Sequence, residues 1–112
     1  MDDETKTLLG KLQMQNQQLQ SVLLQKQALS MQHTELERAL AELQKATDDV
    51  YRSVGSLLIK TDKDAMTKEL EEAKEETELK LKAMETQEKR LTEHLRESQK
   101  KLQERVPEGI GG

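Results

Sequence analysis

The chain has 112 residues and a formal charge of -4, with 36% charged, 33% hydrophobic and 1% aromatic residues. One tyrosine with no phenylalanine and no tryptophan leaves too little large side-chain area for an ordinary globular core, so the chain is either disordered or buries a narrow seam. Charge is interspersed: residues 1–47 hold five basic and six acidic side chains, residues 62–106 eleven and thirteen. Neither half offers the clustered cations that phosphate binding needs or the rings on which bases stack, which argues against nucleic acid as a partner. Without cysteine there is no disulfide framework and no thiol chemistry. No apolar run approaches the ~20 residues of a membrane span, and MDDETK lacks the apolar stretch of a signal peptide. A cytoplasmic protein with no membrane partner is expected.

The first element, residues 4–47, reads as one long helix. Leu8, Leu12, Leu19, Val22, Leu29, Leu36, Leu40 and Leu43 alternate three- and four-residue steps, with Gln15, Lys26 and His33 filling the intervening positions. That is a heptad pattern over about five repeats. Lys26 within the seam specifies register at a cost in stability.

Next comes VYRSVGSLLIKT, residues 50–61, β-branched and aliphatic around Gly55-Ser56. A two-residue type II′ turn, with glycine at the first central position, predicts a β-hairpin pairing Val54 with Leu57, Arg52 with Ile59 and Val50 with Thr61. One face then carries Val50, Val54, Leu57 and Ile59 with nothing in the chain to cover it. A lone two-stranded ribbon is marginal in water and leaves two unpaired edges. A simple reversal would need only two to five polar residues, so the hairpin is expected to pair with other chains.

The second helix, residues 62–106, repeats the seam with Met66, Leu70, Ala73 and Thr77, takes an extra four-residue step to Leu81, and continues through Met84, Glu88, Leu91, Leu95, Ser98 and Leu102. The extra step is a stutter. Thr61 and Asp64 have capping-box spacing for its start; Pro107 and Gly109 mark its end, before a flexible tail, residues 107–112. Folding at Gly55-Ser56 sets each residue of the first helix opposite one of the second, with Leu40 near Leu70 and Leu29 near Leu81. Two facing stripes of equal length predict an antiparallel intramolecular coiled coil.

This order of long helix, hairpin and long helix resembles a β-class prefoldin subunit of the archaeal type. The residues that carry the likeness are Val50-Tyr51 opening the first strand, Val54-Gly55 at the turn, and Leu57-Leu58-Ile59-Lys60-Thr61 closing the second; the Gln-rich first helix, with Gln25-Lys26-Gln27 at its middle, is similar as well. The resemblance implies an α fold with one β-hairpin, whose hairpins (Val50, Tyr51, Val54, Gly55, Leu57, Leu58, Ile59) assemble into an oligomeric β-barrel platform. It further implies a hetero-hexamer of two α-class and four β-class subunits acting as an ATP-independent chaperone: it binds non-native client proteins at the coiled-coil tips and delivers them to a group II chaperonin. The α-class partner must come from another chain.

If the hairpins form the hub, the termini carry the tips, and the candidates for client contact are Leu8, Leu9, Leu12, Met14, Leu95, Leu102 and Val106. Leu9 and Met14 lie off the seam, whereas Leu8, Leu12, Leu95 and Leu102 also fit as ordinary seam residues. Gly10 and Pro107 weaken helix near the termini. His33 and His94 are too far apart in the folded register to share a metal, and the acidic run Glu69–Glu78 reads as a solvated face, balanced by Arg38 and Lys45. No nucleotide, metal or catalytic motif occurs, so neither a cofactor nor an enzyme is expected. The competing reading is a structural coiled-coil scaffold or tether without chaperone activity.

Overall fold

The computed structural model describes residues 2–105. Helix α1 (Asp3–Lys45) starts at Asp2, whose Oδ1 accepts the Thr5 backbone N–H at 2.7 Å. The hydrogen bonds from Thr5 hold the Asp2 carboxyl below its ordinary range. Asp3 and Glu4 in the first turn add negative charge where the helix dipole favours it.

α1 stops at Lys45, two residues short of the expected 47. Its last turn tightens, with Ala46 N–H donating to Leu43 O at 3.2 Å. Lys63 Nζ then donates to the Ala46 carbonyl at 2.9 Å and lies 3.4 Å from that of Gln44, placing a cation on the helix's open C-terminal carbonyls. Asp48 and Asp49 follow, with the sign that a helix C-terminus disfavours.

Strands β1 (Val50–Val54) and β2 (Leu57–Thr61) pair antiparallel in the expected register, Val54 with Leu57, Arg52 with Ile59 and Val50 with Thr61. Gly55 has φ +59° and no other described residue has positive φ, as a type II′ turn requires of its first central residue alone. Lys60 Nζ lies 3.6 Å from Asp49 Oδ1 at the base of the ribbon.

Helix α2 (Lys63–Arg105) is capped by Asp62, not by the Thr61 of the expected box. Asp62 Oδ2 accepts Ala65 N–H at 3.0 Å, and its carbonyl accepts Met66 N–H at 3.0 Å. Thr61 is committed to the strand ladder opposite Val50, so Asp62 is the first residue free to turn its side chain onto the helix.

The chain divides into two units, one of residues up to Lys26 and from Ala83 onward, the other Gln27–Lys82. In the terminal unit, α1 turns Thr5, Leu8, Leu12, Gln15, Leu19, Val22 and Lys26 inward, against Met84, Glu88, Leu91, Leu95, Ser98 and Leu102 of α2. Glu4 pairs with Arg105 and Lys26 with Glu88, so the helices run antiparallel. In the hairpin unit the inward positions are Leu29, His33, Leu36, Leu40 and Leu43, with Met66, Leu70, Ala73, Thr77 and Leu81. His33 meets Glu78, as the fold-back register predicts. The stutter stays in the seam: Thr77 is buried, with Oγ1 donating to Ala73 O at 2.9 Å, and Leu81 is half-buried. Both helices follow the heptad positions read from the sequence; among the described residues the buried apolar side chains are Leu12 and Val22 in the seam of the terminal unit and Leu43 in that of the hairpin unit.

Candidate functional site

A two-stranded ribbon can bury only what the helices beneath it cover. The hairpin's first face carries Val50, Arg52, Val54, Leu57, Ile59 and Thr61, because paired residues share a side. Its base is partly covered by the chain itself: Val50, Arg52 and Thr61 are half-buried. Arg52 pairs with Glu69 of α2 and its Nη2 lies 3.9 Å from Met66 Sδ. The Glu69 carboxylate raises the Arg52 pKa further still.

The outer half has no such cover. Val54, Leu57 and Ile59 are exposed on that face, Leu57 by 64%, and Tyr51 and Leu58 on the other, Leu58 by 72%. Within the described residues the sheet has two strands only, so each strand offers one free edge of backbone donors and acceptors. Backbone edge and apolar side chains together form a surface for adding strands.

The proposed tip residues fall into three environments. Leu12 is buried in the seam, and Leu8, Leu9, Leu95 and Leu102 are half-buried. Met14 is 60% exposed. Val106 lies outside the described residues, as does the stretch 107–112. Leu9, off the seam by heptad count, is nonetheless half-covered.

The exposed Leu23, Leu24, Met31 and Leu79 were not among the candidates drawn from the sequence. A signal for them was present: Leu24 and Met31 occupy the heptad position opposite the seam, which a two-helix coil cannot bury. Leu24 is 67% and Leu79 68% exposed.

Polar groups interrupt the seam at defined points. Gln15 is only 7% exposed, and its Oε1 has no hydrogen-bond partner. Lys26 Nζ donates to Glu88 Oε2 at 2.8 Å, a bond that raises the Lys26 pKa. His33 lies with Nδ1 2.9 Å from Glu37 Oε1 and Nε2 2.9 Å from Glu78 Oε1. The hydrogen bond with His33 holds Glu78 below the usual carboxylate range, helped by Lys74 and Lys82. Two glutamates of the acidic run are thus met by Arg52 and His33, where Arg38 and Lys45 were expected.

Among the described residues no group of three His, Asp or Glu is placed to hold a metal ion, and no helix is long and apolar enough to cross a membrane.

Comparison with known proteins places this architecture. The prefoldin subunit family matches residues 6–108. Prefoldin subunit beta of Thermococcus onnurineus is 41% identical over 102 residues, covering 89% of this chain and 88% of that protein. The subunit of the same name from Thermococcus kodakarensis is 42% identical over 102 residues, covering 89% and 87%. The crystal structure of the prefoldin beta subunit from Thermococcus strain KS-1 superposes with a TM-score of 0.84 at 39% identity, over 95% of this chain and 96% of that one.

Proposed function

Since the chain belongs to the prefoldin subunit family, we propose that it is a β-class subunit of an ATP-independent holdase chaperone rather than an enzyme. Its hairpin joins an α-class subunit and further β-class copies, two α and four β, by continuing their strands into a barrel platform. The helical arms hold non-native clients at their tips and release them to a group II chaperonin by competitive exchange, in the cytoplasm and without nucleotide.

The observation that carries this reading is the hairpin. Tyr51, Val54, Leu57, Leu58 and Ile59, all exposed, sit on a ribbon with two free edges. Water is a poor environment for such a ribbon: burying one Leu or Ile side chain contributes about 1.5–3 kcal/mol, and strand addition satisfies the edge groups at the same time. Several arms on one platform raise the effective concentration of weak sites, by about 10²- to 10⁴-fold over one arm.

Client contact is assigned to the terminal unit, where Leu8, Leu9, Leu12, Met14, Leu95 and Leu102 lie, with Val106 beyond the described residues. The test is removal of the first fourteen residues. Suppression of client aggregation should fall while the number of subunits in the oligomer stays unchanged. Loss of the oligomer on this truncation contradicts the division of labour between hairpin and tips.

A further inference from the structure

The terminal unit is built from two unlike helices. From Leu12 to Gln25 α1 has no charged residue, while α2 from Glu85 to Arg105 carries eleven in twenty-one. On the face of α1 turned away from the seam, Met14, Gln17, Ser21 and Leu24 follow one another at three- and four-residue steps, and all four are exposed. Leu23 is exposed at the edge of the seam. In a chain that is 36% charged, an outward helix face of Met, Leu, Gln and Ser alone is a departure from the surrounding surface, since outward faces of coiled coils are ordinarily charged.

We propose that this outward face of α1, centred on Met14 and Leu24, binds apolar segments of non-native polypeptides. The inference rests on the holdase reading and extends the client surface from the chain ends along the body of the helix. The occupant follows from three properties of the face. Two or three partly exposed side chains supply at most a few hundred Å² of apolar area, well short of the ~800 Å² per partner of a stable folded interface or a second copy. The face carries no charge to select or repel, so an incoming segment of either sign meets no penalty. Gln13, Gln17, Gln18 and Gln20 surround the two anchors with uncharged donors and acceptors. An unfolded segment brings unpaired backbone N–H and C=O groups that such amides can meet; a folded partner has already paired its own. Met14 and Leu24 are unbranched at Cβ and adaptable, which suits varied ligands.

Leu79 provides the internal control. It is as exposed as Leu24 but stands among Glu75, Glu76, Glu78, Lys80 and Lys82, so exposure is matched while the surroundings are not. The probe is reduced, carboxymethylated α-lactalbumin, a soluble chain that stays unfolded, carrying a fluorophore and titrated with the full-length protein. The double variant Met14→Gln/Leu24→Gln should bind it about tenfold more weakly than the parent, with circular dichroism and oligomer mass unchanged; Leu79→Gln should bind as the parent does. Equal affinity of the double variant and the parent overturns the proposal, and with it the assignment of Met14 to client contact, while leaving the holdase reading standing. A parent that does not bind the probe at all overturns both. A second measurement does not depend on affinity. The chain has no cysteine, so a benzophenone can be attached singly at Leu24→Cys or Leu79→Cys. Illumination should join the probe to position 24 and not to 79; the reverse, or equal yields, contradicts the assignment.

Discussion

Lys26 and Glu88 face each other across the seam of the terminal unit, Nζ to Oε2 at 2.8 Å, each with about a third of its side chain open to water. Both occupy positions that a purely apolar coil would give to Leu. A slip by one heptad would set Lys26 against Leu95, an unpaired ammonium against an apolar neighbour, so the pair fixes how the two helices align. Lys26→Glu and Glu88→Lys should each lower the melting temperature, and the combined swap should recover most of the loss. A swap no better than the sum of its parts would mean that the pairing itself carries nothing. The Lys26 pKa is raised, so its contribution is full below the unfolded value and disappears as pH rises through the folded one.

Glu78 has the opposite sign. Its hydrogen bond with His33 lowers its pKa, so the unfolded chain takes up that proton first on acidification. The stabilisation is present above the unfolded carboxylate value and is lost as pH falls through the folded one. Urea midpoints measured from pH 6 down to pH 3 should fall less steeply in Glu78→Gln than in the parent. The difference will be small because the side chain is half exposed, and parallel curves would show that the bond does not persist in solution.

Gln15 marks a weak point. Its orphaned Oε1 forfeits a hydrogen bond to water without gaining another, a loss of about 1–3 kcal/mol. Gln15→Leu places an apolar side chain at a regular seam position and should raise stability by about that amount, read as a higher denaturation midpoint. Amide exchange should slow most in the terminal unit. No gain in protection there would mean that the oxygen is already satisfied.

Two positions at the chain reversal are set by backbone. A Cβ on Gly55 meets no atom within 4 Å, so the cost of Gly55→Ala comes from its φ of +59° alone and should be about 1–2 kcal/mol. Asp62→Ala removes the α2 cap and should cost about 0.5–2 kcal/mol, whereas Thr61→Ala, if the cap were at residue 61, would be the larger loss. Thermal melts of the three variants decide the order.

Much of this fold is legible in the residues because its rules are local. Three- and four-residue steps of Leu name the seam, the step from Thr77 to Leu81 names the stutter, and Gly55-Ser56 sets the ribbon's register to the residue. What escapes is decided by competition. Thr61 and Asp62 are both good caps, and only the strand ladder's claim on Thr61 selects the other. Leu9 and Met14 both stand off the seam, but Leu9 flanks it and is half-covered while Met14 faces outward. Leu23, two heptads on from Leu9 at the same flanking position, is exposed, a difference that depends on side-chain packing. Leu23 and Leu24 adjoin the buried Val22 and read as part of an apolar run, although the heptad register already turns Leu24 outward. Arg52 reads as one polar strand residue among apolar ones; its pairing with Glu69 depends on how the ribbon leans on α2, which no spacing reveals.

The central claim is that the hairpin joins chains, and native mass measurement tests it most directly. The full-length protein mixed with an α-class subunit should give a complex of several chains, and the double variant Leu57→Lys/Ile59→Lys, with its helices intact by circular dichroism, should remain a single chain. A parent that stays monomeric in that mixture, or a double variant that assembles as the parent does, contradicts the account.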